Sequence, residues 1–133
     1  MITERQKGFS LMELIICLMI IGFISSLALP KLNKVQQFSK EKILKTILYN
    51  IQMSLENHLM IEGTLPESMT IESLTNYLVS SEHLNKVPLN PFTQQPFKNT
   101  DASGKITYSQ YNDQYELNAF DKDNKNLLLT LQR

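Results

Sequence analysis

From Phe9 to Leu29 the chain reads FSLMELIICLMIIGFISSLAL, and Glu13 is the only charge in it. As a helix this run is roughly 31 Å long, which matches a bilayer hydrocarbon core of about 30 Å. So long an apolar stretch is hard to bury in the single small domain that 133 residues allow. The segment therefore predicts a membrane-spanning helix, with bilayer lipid as its surroundings. Arg5 and Lys7 precede it. The positive-inside rule then places the leader in the cytoplasm and the rest of the chain across the membrane.

The rest of the composition removes function classes. Thirteen Lys and Arg balance thirteen Asp and Glu, so no basic field points to nucleic acid. One cysteine allows no disulfide framework and no cysteine zinc site. His58 and His83 alone make no histidine metal site, and no phosphate loop, nucleophile elbow or H-E-x-x-H run occurs. No catalytic constellation can be named, and the chain reads as a non-enzyme.

Other amino-terminal signals share the basic-then-apolar order. A secretory signal peptide would end at small residues, and Ser25-Ser26-Leu27-Ala28 supplies them. Leu14-Ile15-Ile16-Cys17 imitates a lipoprotein box, but Ile15 and Ile16 are bulky and the apolar run continues past Cys17. Cys17 reads better as a small apolar residue facing lipid or a packed helix. Glu13 distinguishes these readings. A carboxylate costs about 2.5–3.5 kcal/mol at the centre of a membrane helix and less near its end. Snorkelling to the interface lowers that cost without giving the charge a purpose. A cut between Gly8 and Phe9 would give it one, because a new ammonium then appears four residues before Glu13. Against a neighbouring subunit, Glu13 would meet that subunit's amino terminus in low dielectric and set axial register.

Lys7 to Ile15, K-G-F-S-L-M-E-L-I, resembles the cleavage-and-methylation motif of type IV pilins and type II secretion pseudopilins. The resemblance implies that a prepilin peptidase cuts after Gly8 and methylates the new amino terminus at Phe9, with Glu13 as the assembly residue. Pro30 falls where the family commonly kinks its helix, and Gly22 is a second place for a bend. The implied domains are a leader at 1–8, a transmembrane helix at 9–29 and an extracytoplasmic head at 30–133. The implied home is the inner membrane, crossed once, before assembly into a filament.

Beyond Pro30, Leu44, Leu48, Ile51, Leu55 and Leu59 form one apolar helical face, widened by Ile43 and Ile47. Lys31, Lys34, Lys40, Lys42 and Lys45 with Glu41 mark its first part as solvated, within reach of lipid headgroups or neighbouring subunits. Gly63 followed by Pro66 predicts the helix end. His58 sits on or beside the apolar face and reads as structural. A second helix is expected after a Thr70 cap, with Ile71, Leu74, Tyr77 and Leu78 inward. The stretch 80–104 holds Pro88, Pro91 and Pro96 and reads as a loop pinned by Val87, Leu89, Phe92 and Phe97. Strands follow around Ile106–Tyr111, Tyr115–Phe120 and Leu127–Leu131, with turn chemistry at Asp121–Asn126. The predicted class is α+β: a long amino-terminal helix packed on a small three-stranded antiparallel sheet.

Gly63-Thr64-Leu65-Pro66, then Val87-Pro88-Leu89-Asn90-Pro91-Phe92 and Gln95-Pro96-Phe97, resemble the head of the major type II secretion pseudopilin. Asn90 stands for that group's usual aspartate and Phe92 for its usual tryptophan. The same resemblance implies calcium in a loop near the carboxyl end, where Asp121 and Asp123 would supply oxygens. The chain lacks the later acidic residues and runs into Leu127-Leu128-Leu129, so an Asp/Asn hairpin turn is the preferred reading.

The function expected is a structural filament subunit, most like a type II secretion pseudopilin, with a type IV pilus or competence pilin as the alternative. Its partners would be identical and other pilin-like subunits, the prepilin peptidase, the inner-membrane assembly platform and lipid. A membrane-tethered binding module is a second alternative, supported only by the lysines at 31 to 45.

Overall fold

The computed structural model describes residues 8–133. Arg5, Lys7 and most of the leader lie outside the described residues. The elements are α1 (Leu11–Glu62), α2 (Ile71–Ser80), β1 (Ile106–Tyr111), β2 (Gln114–Phe120) and β3 (Leu127–Gln132). Contacts divide the chain into one unit ending at Gln37 and another from Phe38 to Arg133, and α1 contributes to both.

In the first unit α1 is exposed throughout, and its apolar run up to Leu29 is long and apolar enough to cross a membrane. The helix is assigned without interruption through Pro30. The Ser25 and Ser26 hydroxyls donate back to the carbonyls of Ile21 and Phe23 at 2.7 and 2.8 Å. Each hydroxyl is thereby satisfied inside an apolar helix that offers it no other partner.

In the second unit Leu44, Leu48, Ile51 and Leu55 are fully buried. The expected stripe ends differently, because His58 takes the last buried place while Leu59 is half-buried. Ile47 packs on the core, but Ile43 stays 51% exposed, so the apolar face is narrower than expected on that side. Gly63 ends the helix with φ +75°, and its amide donates to the Leu59 carbonyl at 2.9 Å. A left-handed residue just past the last turn is the conformation glycine adopts at least cost.

Thr70 caps α2, accepting at its hydroxyl from the Ser73 amide. Ile71, Leu74 and Leu78 face inward as expected. Tyr77 does not, being 40% exposed; the buried neighbour is Thr75, whose hydroxyl donates to the Ile71 carbonyl at 2.9 Å. That internal bond lets a hydroxyl take a core position.

The sheet order is β1-β2-β3, antiparallel throughout. Ile106 and Tyr108 from β1 and Tyr115, Leu117 and Ala119 from β2 alternate onto the face that meets the α1 stripe and α2. Asn112, at φ 55°, turns the β1–β2 hairpin with Asp113. Asparagine tolerates that conformation better than most residues. The observed class is the predicted one, an amino-terminal helix whose second half packs on a three-stranded antiparallel sheet.

Candidate functional site

Gly8, Phe9 and Ser10 precede α1 in no regular element, and all three are exposed. A Cβ placed on Gly8 would meet nothing within 4 Å, and Phe9 is 81% exposed. The Gly8–Phe9 peptide bond is thus open to an approaching group. The helix begins immediately after it for a local reason. The Ser10 carbonyl accepts the first intrahelical bond, from the Leu14 amide at 3.2 Å. The Ser10 hydroxyl accepts from the Glu13 amide at 3.4 Å, and the Glu13 carboxylate accepts from the Ser10 amide at 3.0 Å. This is a capping box, in which two amides without helical partners are satisfied reciprocally.

The cap corrects the view that Glu13 has no use before a cut. Its carboxylate already completes the helix start, where the helix dipole also favours negative charge. Ser10 is the residue that sequence reasoning missed. Its signal, S-x-x-E ahead of an apolar run, stands at Ser10–Glu13. Cys17 is a free, exposed thiol within the apolar helix. Gly22, like Gly8, has open space around its Cβ direction.

The turn carrying Asp121 and Asp123 has other work. The two Asp121 carboxylate oxygens accept from the amides of Asp123 and Lys125 at 3.1 and 2.9 Å and from the Asn126 side chain at 2.6 Å. These donors, the Asn126 bond first, hold the Asp121 carboxyl below its ordinary range. A calcium site needs oxygens free to face the ion, whereas here N–H groups face Asp121. Among the described residues, no group of three or more His, Cys, Asp or Glu side chains converges. The Asp121 oxygens are taken up in building a hairpin turn and do not offer themselves to calcium.

The 80–104 loop is pinned differently from expectation. Leu89 is 51% exposed, Phe92 half-buried, and Phe97 buried. The central anchor is polar. Asn90 is fully buried; its side-chain amide donates to Asp101 at 3.0 Å and to the Ser103 carbonyl at 2.8 Å, and its oxygen accepts from the Phe92 amide at 2.9 Å. His58 is structural. Nδ1 donates to the Thr64 carbonyl at 2.9 Å and Nε2 meets the Tyr77 hydroxyl at 2.8 Å, which ties α1 to the turn and to α2.

The family model of the prokaryotic N-terminal methylation motif matches the chain over residues 4–29. No curated protein and no solved structure matches it. Gly8, Phe9, Ser10, Glu13 and the first half of α1 all fall inside the matched residues, and the chain carries the signature of the type IV pilins and pseudopilins.

Proposed function

We propose that this chain is a filament subunit stored in the membrane, cut between Gly8 and Phe9 and methylated at Phe9. The observation that carries this reading is the coincidence of the methylation motif with an exposed Gly8–Phe9 bond and a helix capped two residues later. Cutting there frees an ammonium next to the cap. Glu13 is then within one turn of that charge in its own chain and open to the same charge on a neighbour. Either pairing lowers the cost of both ions in an apolar core. The leader faces the cytoplasm, residues 9–29 span the inner membrane, and the head from residue 30 lies beyond it. Pro30 has no amide to offer the Ser26 carbonyl, so it and Gly22 are the places where the span bends. Assembly removes the span from lipid and packs it against other subunits with the help of a membrane platform.

Within this class the chain is a type II secretion pseudopilin. The support is the Val87–Phe97 loop, where Asn90 holds the position of that group's aspartate and Phe92 rests on Gly104, with Lys40 over its ring at 5.9 Å. A type IV pilus or competence pilin is the second reading, because the amino-terminal motif serves both. Deleting the gene distinguishes them. Loss of exported proteins from the culture medium supports the pseudopilin; intact export with lost adhesion, motility or DNA uptake supports the pilin.

A further inference from the structure

Charge along the chain is segregated. From Lys31 to Lys45 stand five lysines and one glutamate; from Thr46 to Asn85 stand five glutamates and no lysine, arginine or aspartate. In the second unit Lys42 and Lys45 lie near the start of its share of α1, Glu62 ends the helix, and Glu67 follows in the turn. Glu62 and Glu67 are exposed. Neither Glu62 nor Glu67 makes an ion pair among the described residues, whereas Glu56 pairs with Arg133 at 3.2 Å. Lys42 is exposed too, its ammonium 4.9 Å from the centre of the Phe38 ring.

A run of charge is commonly just a solvated face. Here each charged end also carries exposed apolar side chains. Met60 and Ile61, 81% and 71% exposed, stand directly before Glu62, and Phe38 and Ile43 flank Lys42 at 58% and 51%. The two ends complement each other and repel themselves. Lys42 and Glu62 are twenty residues apart on one helix, about 30 Å, so they cannot meet within a chain. They can meet between chains. Copies anchored in one membrane with the same orientation cannot form the antiparallel two-fold pair that would satisfy both ends at once. The contact between them is therefore heterologous and propagates as an open filament wherever its rotation does not close a ring.

We infer that a second copy of this chain docks head-to-tail on the first, with Glu62 and Glu67 of one copy against Lys42 and Lys45 of the next. This contact rests on the filament-subunit reading and specifies its geometry, a displacement of about 30 Å along α1 between touching copies. Exposed ion pairs contribute only about 0–1 kcal/mol each, so adhesion comes from the apolar side chains. The charges supply direction and register, because like ends brought together repel.

The test uses the full chain in its own membrane, in a Cys17→Ser background, with Lys42→Cys and Glu62→Cys chains expressed singly and together. Oxidation is expected to join 42 to 62 and to leave 42–42 and 62–62 pairs at least tenfold weaker. Equal 42–42 coupling overturns the proposal. Charge reversal gives a second, independent reading. Lys42→Glu with Lys45→Glu, or Glu62→Lys with Glu67→Lys, is expected to cut sedimentable filament at least tenfold, and all four together to restore it. Filaments indifferent to reversal, or not restored, overturn the docking contact while leaving the subunit reading intact. An uncut chain that forms no oligomer defeats both. Melting of the reversed variants checks that each head is folded, so that lost filament reports on docking.

Discussion

The Glu13 carboxylate accepts the Ser10 amide at 3.0 Å while the Ser10 hydroxyl accepts the Glu13 amide at 3.4 Å. The helix therefore starts at a fixed place, two residues beyond the Gly8–Phe9 bond. Glu13 carries two separable properties, an acceptor oxygen that caps the helix and a charge that a cut would match.

Glu13→Gln keeps an oxygen able to cap and removes the charge, whereas Ser10→Ala removes the hydroxyl cap and keeps the charge. Losing the cap costs about 1 kcal/mol of helix-end stability. Insertion into the membrane is expected for both variants. Filament yield should fall steeply for Glu13→Gln and only modestly for Ser10→Ala. Equal yields from Glu13→Gln and the parent chain would remove the charge from the account.

Asn90→Asp replaces the amide that donates to Asp101 and to the Ser103 carbonyl with a second carboxylate. Buried oxygens would then face one another without a proton, a loss of about 2 kcal/mol or more. Thermal melting of the head should show this deficit near neutral pH. It should shrink on acidification, when a proton returns to the pair.

Gly104→Ala addresses the same loop from beneath. Gly104 has φ +63°, and an added Cβ would come within 2.4 Å of the Phe92 ring and 3.2 Å of the Asn90 oxygen. Both the backbone conformation and the ring oppose it, and a destabilisation of about 1–3 kcal/mol is expected in denaturant titration.

Much of this architecture was legible because it follows periodicity and turn chemistry. Leu44, Leu48, Ile51 and Leu55 recur at helical spacing, Thr70 and Gly63 are strong end signals, and β2 alternates. The less legible parts depend on polar side chains finding partners far along the chain. Nothing local marks Asn90 as more buried than Leu89, since its partners at 101 and 103 are brought in by the loop's fold. His58 displaced Leu59 from the core for the same reason, its two nitrogens being satisfied by Thr64 and Tyr77. Tyr77 is turned partly outward so that its hydroxyl can reach that ring. At the amino terminus the motif is plain in the residues, whereas the Ser10 cap depends on Glu13 acting as a hydrogen-bond acceptor as well as a charge.

Tyr108 and Tyr115 give the head a distinct alkaline limit. Burial pushes both hydroxyls up to about 12, with Tyr115 also donating to Glu56 at 2.6 Å and Tyr108 to the Pro66 carbonyl at 2.6 Å. Their contribution is whole below about pH 10, the unfolded value, and is lost as pH rises through about 12. Tyrosinate absorbance should show two late-ionising groups coinciding with loss of the fold. Tyr115→Phe should remove one of them.

The central claim is that the chain is cut after Gly8 and becomes a subunit with a methylated amino terminus. Intact-mass measurement of the protein purified from its native membrane tests this most directly. The expected mass lacks Met1 to Gly8 and carries one added methyl group. A chain that retains its original amino terminus, or one cut after the apolar span, would contradict it.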